Sequence, residues 1–276
     1  MSAANESQHE AWNGESGRRW VADADRRDRV LAPVADVLLT AASLRPGEMV
    51  LDVGCGCGVT TLAAADLVAP AAVVGIDLSE PMLRTARERA GTRNVTFVHA
   101  DAQTHRFDRA RFDVAIGRFG TMFFDHPIAA FTNIATAMQP GGRLCLATWQ
   151  ALAANDWLLV PGAALLAYGS LPDTATGTGP GMFAQADPDT ISRVLTAAGW
   201  DQISITPLRV EFRLGDDAAD ALDYLADTGI ARGVLDTIDP AQRDDALDAA
   251  AATLADAQGA DGVRLGGGIN LITATI

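Results

Sequence analysis

The chain has 276 residues, 49% of them hydrophobic and 20% charged, which is enough apolar material for a sizeable buried core and excludes global disorder. Its 35 acidic residues against 21 basic ones leave a net charge of −14, a surface that repels phosphate backbones and anionic membranes, so neither nucleic acid nor membrane is an expected partner. Every basic residue is an arginine, and the missing lysine excludes the P-loop and the Schiff-base lysine of pyridoxal enzymes and aldolases.

The N-terminus, "MSAANESQHEAWNGESGRRW", has no apolar core of the kind a secretory signal needs, so a cytoplasmic protein is expected. Residues 16–44 have helical spacing, with Pro33 opening a second helix. The turn "RPGE" feeds a strand at 49–53, and "VLDVGCGCGVTT" then places Gly54, Gly56 and Gly58 at alternate positions behind Asp52. The run "VTTLAAADLV" reads as the helix that follows. Strand, glycine loop and helix bring bare backbone close to a nucleotide-like ligand. "AVVGIDL" is a second strand, ending at Asp77, and "SEPMLRTARERA" a helix with Ser79 as its N-cap. "NVTFVHAD" is a third strand, ending at Asp101. "RFDVAIGRFG" is the fourth, "HPIAAFTNIATAMQP" its helix, and "GRLCLATW" the fifth strand.

Beyond Trp149 the rhythm changes. Residues 150–170 read as an apolar helix whose run "WLLVPGAALLAYG" is too short for a bilayer, and 171–187 is a Gly/Pro/Thr-rich loop. "DPDTISRVLTAAGW" is a helix, "DQISITPLRVEFRL" a strand, 216–231 and 240–257 two helices, and "VRLGGGINLITATI" a last strand. Strands alternating with helices predict a parallel sheet covered on both faces. Asp52, Asp77 and Asp101 close the first three strands about one βα unit apart, so all three should face one crevice beyond the carboxyl ends of the strands. The three cysteines, Cys55, Cys57 and Cys145, lack a disulfide or metal-ligand framework, and His99, His105 and His126 have no ligand spacing; no metal is expected.

A nicotinamide fingerprint needs a third small residue where this chain has Val59. The sequence instead resembles the class I S-adenosylmethionine-dependent methyltransferases, in a bacterial small-molecule branch. "VLDVGCGCG", "GIDLS", "HADAQ", "FDVAIGRFG" and "MQPGGRLCLATW" match five motifs of that family in order, across residues 45–150. The resemblance implies an α/β fold: a Rossmann-like, seven-stranded, mostly parallel sheet with helices on both faces, its last pair antiparallel, plus helical lid insertions. It divides the chain into an N-terminal helical lid (1–45), the cofactor-binding core (46–150), and the rest of the core with helical substrate-cap insertions (151–276). The implied cofactor is S-adenosylmethionine.

By the same resemblance Asp77 takes the ribose hydroxyls, Leu78 and Met82 flank the adenine, and Asp101 with the Ala102 amide reads the adenine edge. Gly54, Cys55 and Gly56 lie along the methionine portion, and Asp52 favours its ammonium group. Trp20, with Trp12 and Arg18 or Arg19, closes the methionine end, or serves ordinary helix packing. Arg118 binds a carboxylate of cofactor or substrate, or forms a buried structural ion pair. Phe119, Met122, Phe123, Trp149, Met182 and Phe183 are candidates to line an apolar acceptor pocket, with core packing as their other role. His126 is the candidate catalytic base, or a helix-start hydrogen-bonding residue beside Asp125. The expected reaction moves a methyl group to a small-molecule acceptor, a secondary metabolite or quinone-like compound, by in-line displacement, in a monomer or homodimer. An NAD(P)-dependent oxidoreductase and a non-catalytic S-adenosylmethionine-binding regulatory protein are the alternatives.

Overall fold

The computed structural model describes residues 5–171 and 179–276. Residues 172–178, which belong to the Gly/Pro/Thr-rich loop read from the sequence, lie outside the described residues. Four short helices come first: α1 (Glu6–Asn13), α2 (Glu15–Ala22), α3 (Ala24–Val30) and α4 (Ala32–Ala42). Pro33 stands in the first turn of α4, as its missing N–H allows. The helical reading of 16–44 as two helices is corrected here. Helix α1 already begins at Glu6, and breaks at Asp23 and Leu31 divide 16–44 into three helices.

The core then alternates: β1 (Val50–Val53), α5 (Val59–Val68), β2 (Val73–Asp77), α6 (Glu80–Arg89), β3 (Val95–His99), β4 (Phe112–Arg118), α7 (Pro127–Ala137) and β5 (Met138–Trp149). The helix read over 126–140 stops at Ala137. Pro140 has no N–H to continue it and Gly141 takes a left-handed φ of 78°, so the segment joins the fifth strand through a shift in register between Phe112 and Val114. After α8 (Asp156–Leu165) and α9 (Pro188–Ala197) comes the long strand β6 (Asp201–Gly215). Next are α10 (Ala218–Ala226), α11 (Gly229–Leu235), α12 (Arg243–Asp256), the short β7 (Gln258–Gly259) and β8 (Gly262–Thr275). The helix read over 216–231 is two helices. Thr228 turns the chain and caps α11 by accepting the Ala231 N–H, just as Asp217 caps α10.

The sheet runs β3-β2-β1-β4-β5-β8-β6, with β7 paired to β8 alone. The first five strands are parallel, and β8 enters antiparallel to both β5 and β6, with Cys145 opposite Thr273 and Ile205 opposite Ile272. The Rossmann-like order and the antiparallel last pair expected from the sequence are therefore present. Strand order reverses between β1 and β4, and in an open α/β sheet the crevice at that switch point is where ligands bind. One apolar core joins the sheet to α4 and α5 through Val34, Leu38, Val68, Ile116 and Phe212. The other face packs on α7 and α9 through Phe131, Ile134, Leu195 and Trp200. A smaller cluster, including Leu165, Val234 and Ala250, holds α8, α11 and α12 together as a cap.

Candidate active site

Strand β1 delivers Asp52 fully buried at the foot of the glycine loop. Its Oδ2 accepts the hydroxyls of Thr60 and Thr61, each at 2.6 Å, while Oδ1 has no partner. Burial pushes this carboxyl above the ordinary carboxylate range, with the two threonine hydroxyls and Arg118 opposing the shift. A buried, unpaired carboxylate oxygen is a place for a cationic donor. The loop above it needs glycine for space. At Gly54, with φ 71°, an added Cβ would lie 2.6 Å from the Gly120 Cα, and at Gly120 the clash is with Gly54 at 2.7 Å. The turns after β1 and β4 touch backbone to backbone, and any side chain there would part them.

At the end of β2, Asp77 accepts a backbone N–H on each carboxylate oxygen: Gly56 to Oδ2 and Ser79 to Oδ1, both at 2.8 Å. Burial raises its pKa and those two donors lower it. The anion is thus held square between the glycine loop and the start of α6, with one lone pair left on each oxygen. Leu78 follows, its carbonyl accepting Asn13 Nδ2, and Met82 is buried beneath Trp12 and Trp20.

Asp101 closes the row after β3. Gln103 N–H donates to its Oδ1, and Asn5 Nδ2 donates to both oxygens at 3.1 Å. The neighbouring Ala102 is buried. The topology therefore brings Asp52, Asp77 and Asp101 to the carboxyl edge of three adjacent strands, with the glycine loop between them.

The N-terminal helices cover this edge. Asn13 donates to the Leu78 carbonyl and accepts the Glu80 N–H, while Ser79 Oγ donates to the Trp12 carbonyl at 2.7 Å. Trp12 stands edge-on between Trp20 and Phe123, with ring centres at 6.0 and 5.3 Å. One face of Trp20 is taken by the Arg27 guanidinium at 4.9 Å. Arg19 and Arg27 both reach Asp227 at the end of α10, at 2.8 and 2.5 Å, tying the N-terminal helices to the C-terminal cap. Arg19 lies half-exposed in that pair and also meets Glu15.

Arg118 leaves β4 almost buried and turns to α3. It donates to the Leu31 carbonyl at 3.3 Å and lies 3.6 Å from Asp28, a structural ion pair. Phe119 occupies the left-handed region at φ 63° and stacks on Trp149 at 4.1 Å with near-parallel rings. Trp149 in turn meets Trp157 and Phe212, so Phe119, Met122 and Trp149 are core residues. Met182 and Phe183 pack against the same core at its edge, half-buried, anchored by Gly181 N–H on the Met122 carbonyl. In the cap, Trp157, Leu158, Leu165, Leu225, Ile230 and Val234 are among the residues lining an apolar cavity of about 40 Å³.

His126 lies at the start of α7. Its N–H donates to Gln103 Oε1, and its exposed ring sits 3.6 Å from Asp125. The thiols are buried and inert: burial pushes Cys57 and Cys145 up to about 12, and Cys55 well above its usual range. No group of three or more His, Cys, Asp or Glu side chains suited to a metal ion occurs among the described residues, nor a helix long and apolar enough to cross a membrane.

Sequence reading missed Asn5, Asn13, Asp28, Gly120 and Asp227. Gly120 stood in the quoted fourth-strand motif and carried a readable signal. The others act across more than 60 residues of chain and had none.

A methyltransferase-domain family model matches residues 50–142. Nocamycin O-methyltransferase of Saccharothrix syringae is 31% identical over 204 residues, covering 69% of this chain and 71% of that protein. A demethylmenaquinone methyltransferase of Corynebacterium kroppenstedtii is 30% identical over 168 residues, 58% of this chain and 70% of that one. Other curated relatives, from Mycobacterium, are matched over only 44% of their length. A putative methyltransferase structure from Bacillus halodurans shares the fold, with a TM-score of 0.58 at 18% identity over 87% of this chain and 97% of that one. The chain belongs to the class I S-adenosylmethionine-dependent methyltransferase family. S-adenosylmethionine is the methyl donor of that family, and the unpaired Asp52 oxygen, the bare backbone at Gly54 and the presented Asp77 carboxylate fit it.

Proposed function

We propose that the chain transfers a methyl group from S-adenosylmethionine to a small-molecule acceptor, an apolar secondary metabolite or a quinone-like compound. The observation that carries this reading is the row of Asp52, Asp77 and Asp101 along one strand edge beside a glycine loop that has no room for a side chain at Gly54. Asp77 would take the ribose hydroxyls on its two remaining lone pairs, and Asp101 with Ala102 the adenine edge, flanked by Leu78 and Met82. Asp52 would face the ammonium group, with Gly54, Cys55 and Gly56 along the methionine portion. When bound, the cofactor supplies an already activated methyl group.

The protein's own part is alignment and exclusion of water. Trp12, Trp20 and Phe123 roof the cleft, and the Arg27–Asp227 pair holds that roof to the cap. Arg118, engaged with Asp28, supports the cofactor side by holding α3 rather than by a direct contact. The acceptor would enter between the turn after β4 and the cap, where the half-buried Phe123, Met182 and Phe183 offer apolar and aromatic surface, backed by the buried Phe119, Met122 and Trp149. The relatives named for nocamycin and demethylmenaquinone support an acceptor of that kind. For a hydroxyl acceptor, His126 is the proposed proton acceptor. We assign residues 1–45 as the lid, 46–150 as the cofactor core and 151–276 as remaining core and cap.

Melting the purified protein with S-adenosylhomocysteine and with NADH separates this reading from the nicotinamide one. A shift with the former alone, followed by methyl transfer to a panel of phenols and quinols, is the expected result. No shift with S-adenosylhomocysteine refutes the cofactor reading, and a shift without turnover on any acceptor favours the regulatory alternative.

A further inference from the structure

Asn5 is a polar side chain only 3% exposed, on the residue that precedes the first helix. Its backbone is left-handed, with φ 57° and ψ 23°, a conformation asparagine tolerates better than other residues with a Cβ. That bend turns the amide inward, where all of its contacts are long-range. Nδ2 donates to both oxygens of Asp101, and Oδ1 accepts the Asp125 N–H at 2.7 Å. One amide thus joins the turn after β3, the turn after β4 and the N-terminal helix.

A carboxylate has about four acceptor positions. Asn5 takes one on each Asp101 oxygen, and the Gln103 N–H takes a second on Oδ1. The remaining position is on Oδ2. We propose that Asn5 is a positioning residue for purine recognition: it fixes the Asp101 carboxylate so that one acceptor position is presented to a 6-amino group, and it does so only when the N-terminal helix is docked. This rests on the cofactor reading above. Selection of an adenine over a 6-oxo purine and closure of the lid are then one event, because the same amide serves both. Asn5 never needs to touch the cofactor itself.

The test compares S-adenosylhomocysteine with S-inosylhomocysteine, its 6-oxo analogue, by calorimetric titration of the parent, Asn5→Ala and Asn5→Asp proteins. The parent should prefer the 6-amino ligand by about tenfold or more, the scale of a buried hydrogen bond to a charged group. Asn5→Ala should bring that preference to within about threefold, mainly by weakening S-adenosylhomocysteine. Asn5→Asp, which sets a second carboxylate against Asp101, should weaken it further. An unchanged preference in Asn5→Ala overturns the proposal. So does equal weakening of both ligands, the mark of a merely structural role that far-ultraviolet melting would also register. Tighter S-adenosylhomocysteine binding in Asn5→Ala overturns it as well, and makes the Asn5 amide an occupant of the adenine position. A parent that binds neither ligand removes the cofactor reading beneath it.

Discussion

Replacing Asp77 by asparagine changes one oxygen into an NH₂ group and keeps the shape of the side chain. In the parent, each carboxylate oxygen accepts one backbone N–H at 2.8 Å, from Gly56 on one side and Ser79 on the other. An amide can satisfy only one of them, and the other donor then faces a donor. A buried donor left without an acceptor costs about 1–3 kcal/mol, so the ligand-free protein should lose about that much stability in urea denaturation. The ribose side loses more. One of two charge-assisted hydrogen bonds disappears and the other becomes neutral, a loss of about 2–3 kcal/mol, or roughly 30- to 150-fold in S-adenosylhomocysteine affinity by calorimetry. The two readouts separate the two roles of one side chain. Affinity within about twofold of the parent refutes the ribose assignment, and unchanged urea stability refutes the anchoring of the glycine loop by this carboxylate.

Asp227→Ala strands the Arg27 guanidinium, whose side chain is 6% exposed, and should cost about 3 kcal/mol of stability; the double replacement Arg27→Met/Asp227→Leu should recover most of it, and a single-variant cost below about 1 kcal/mol refutes the clamp. Because burial raises the Asp52 carboxyl, its contribution favours folding below the ordinary carboxylate range and is withdrawn as pH rises through its folded value, so Asp52→Asn should lose less stability than the parent as pH rises above the ordinary carboxylate range in urea titrations; an identical pH slope refutes that reading. The paired replacement Met182→Ala/Phe183→Ala should change acceptor preference while S-adenosylhomocysteine affinity stays within about fivefold, whereas a larger loss of affinity places these side chains in the cofactor site. Single-turnover methylation of a hydroxyl acceptor by His126→Asn should fall by about 10²-fold or more; rates within about threefold of the parent leave alignment as the whole mechanism.

The succession of strands and helices, the glycine loop and the three acids were legible in the chain because they are local. A strand end, a turn residue and a helix cap each depend on a few neighbouring side chains, and Asp52, Asp77 and Asp101 inherit a shared edge from parallel topology alone. Ser79 as a cap and Val59 as a helix start needed no more than their own sequence. Tertiary structure decided which of the remaining polar groups meet. Asn5 reaches Asp101, Asp28 meets Arg118, and Asp227 gathers Arg19 and Arg27, each across a separation that periodicity does not encode. Arg118 shows the difference most directly. Its place at the end of β4 aimed it at the crevice, burial in a low-dielectric core demands a counter-charge, and Asp28 of α3 lies 3.6 Å away to supply one. His126 shows the converse: with Pro127 behind it and its side chain 69% exposed, it remains in water beside Asp125, because only neighbours brought by the fold can draw a side chain inward.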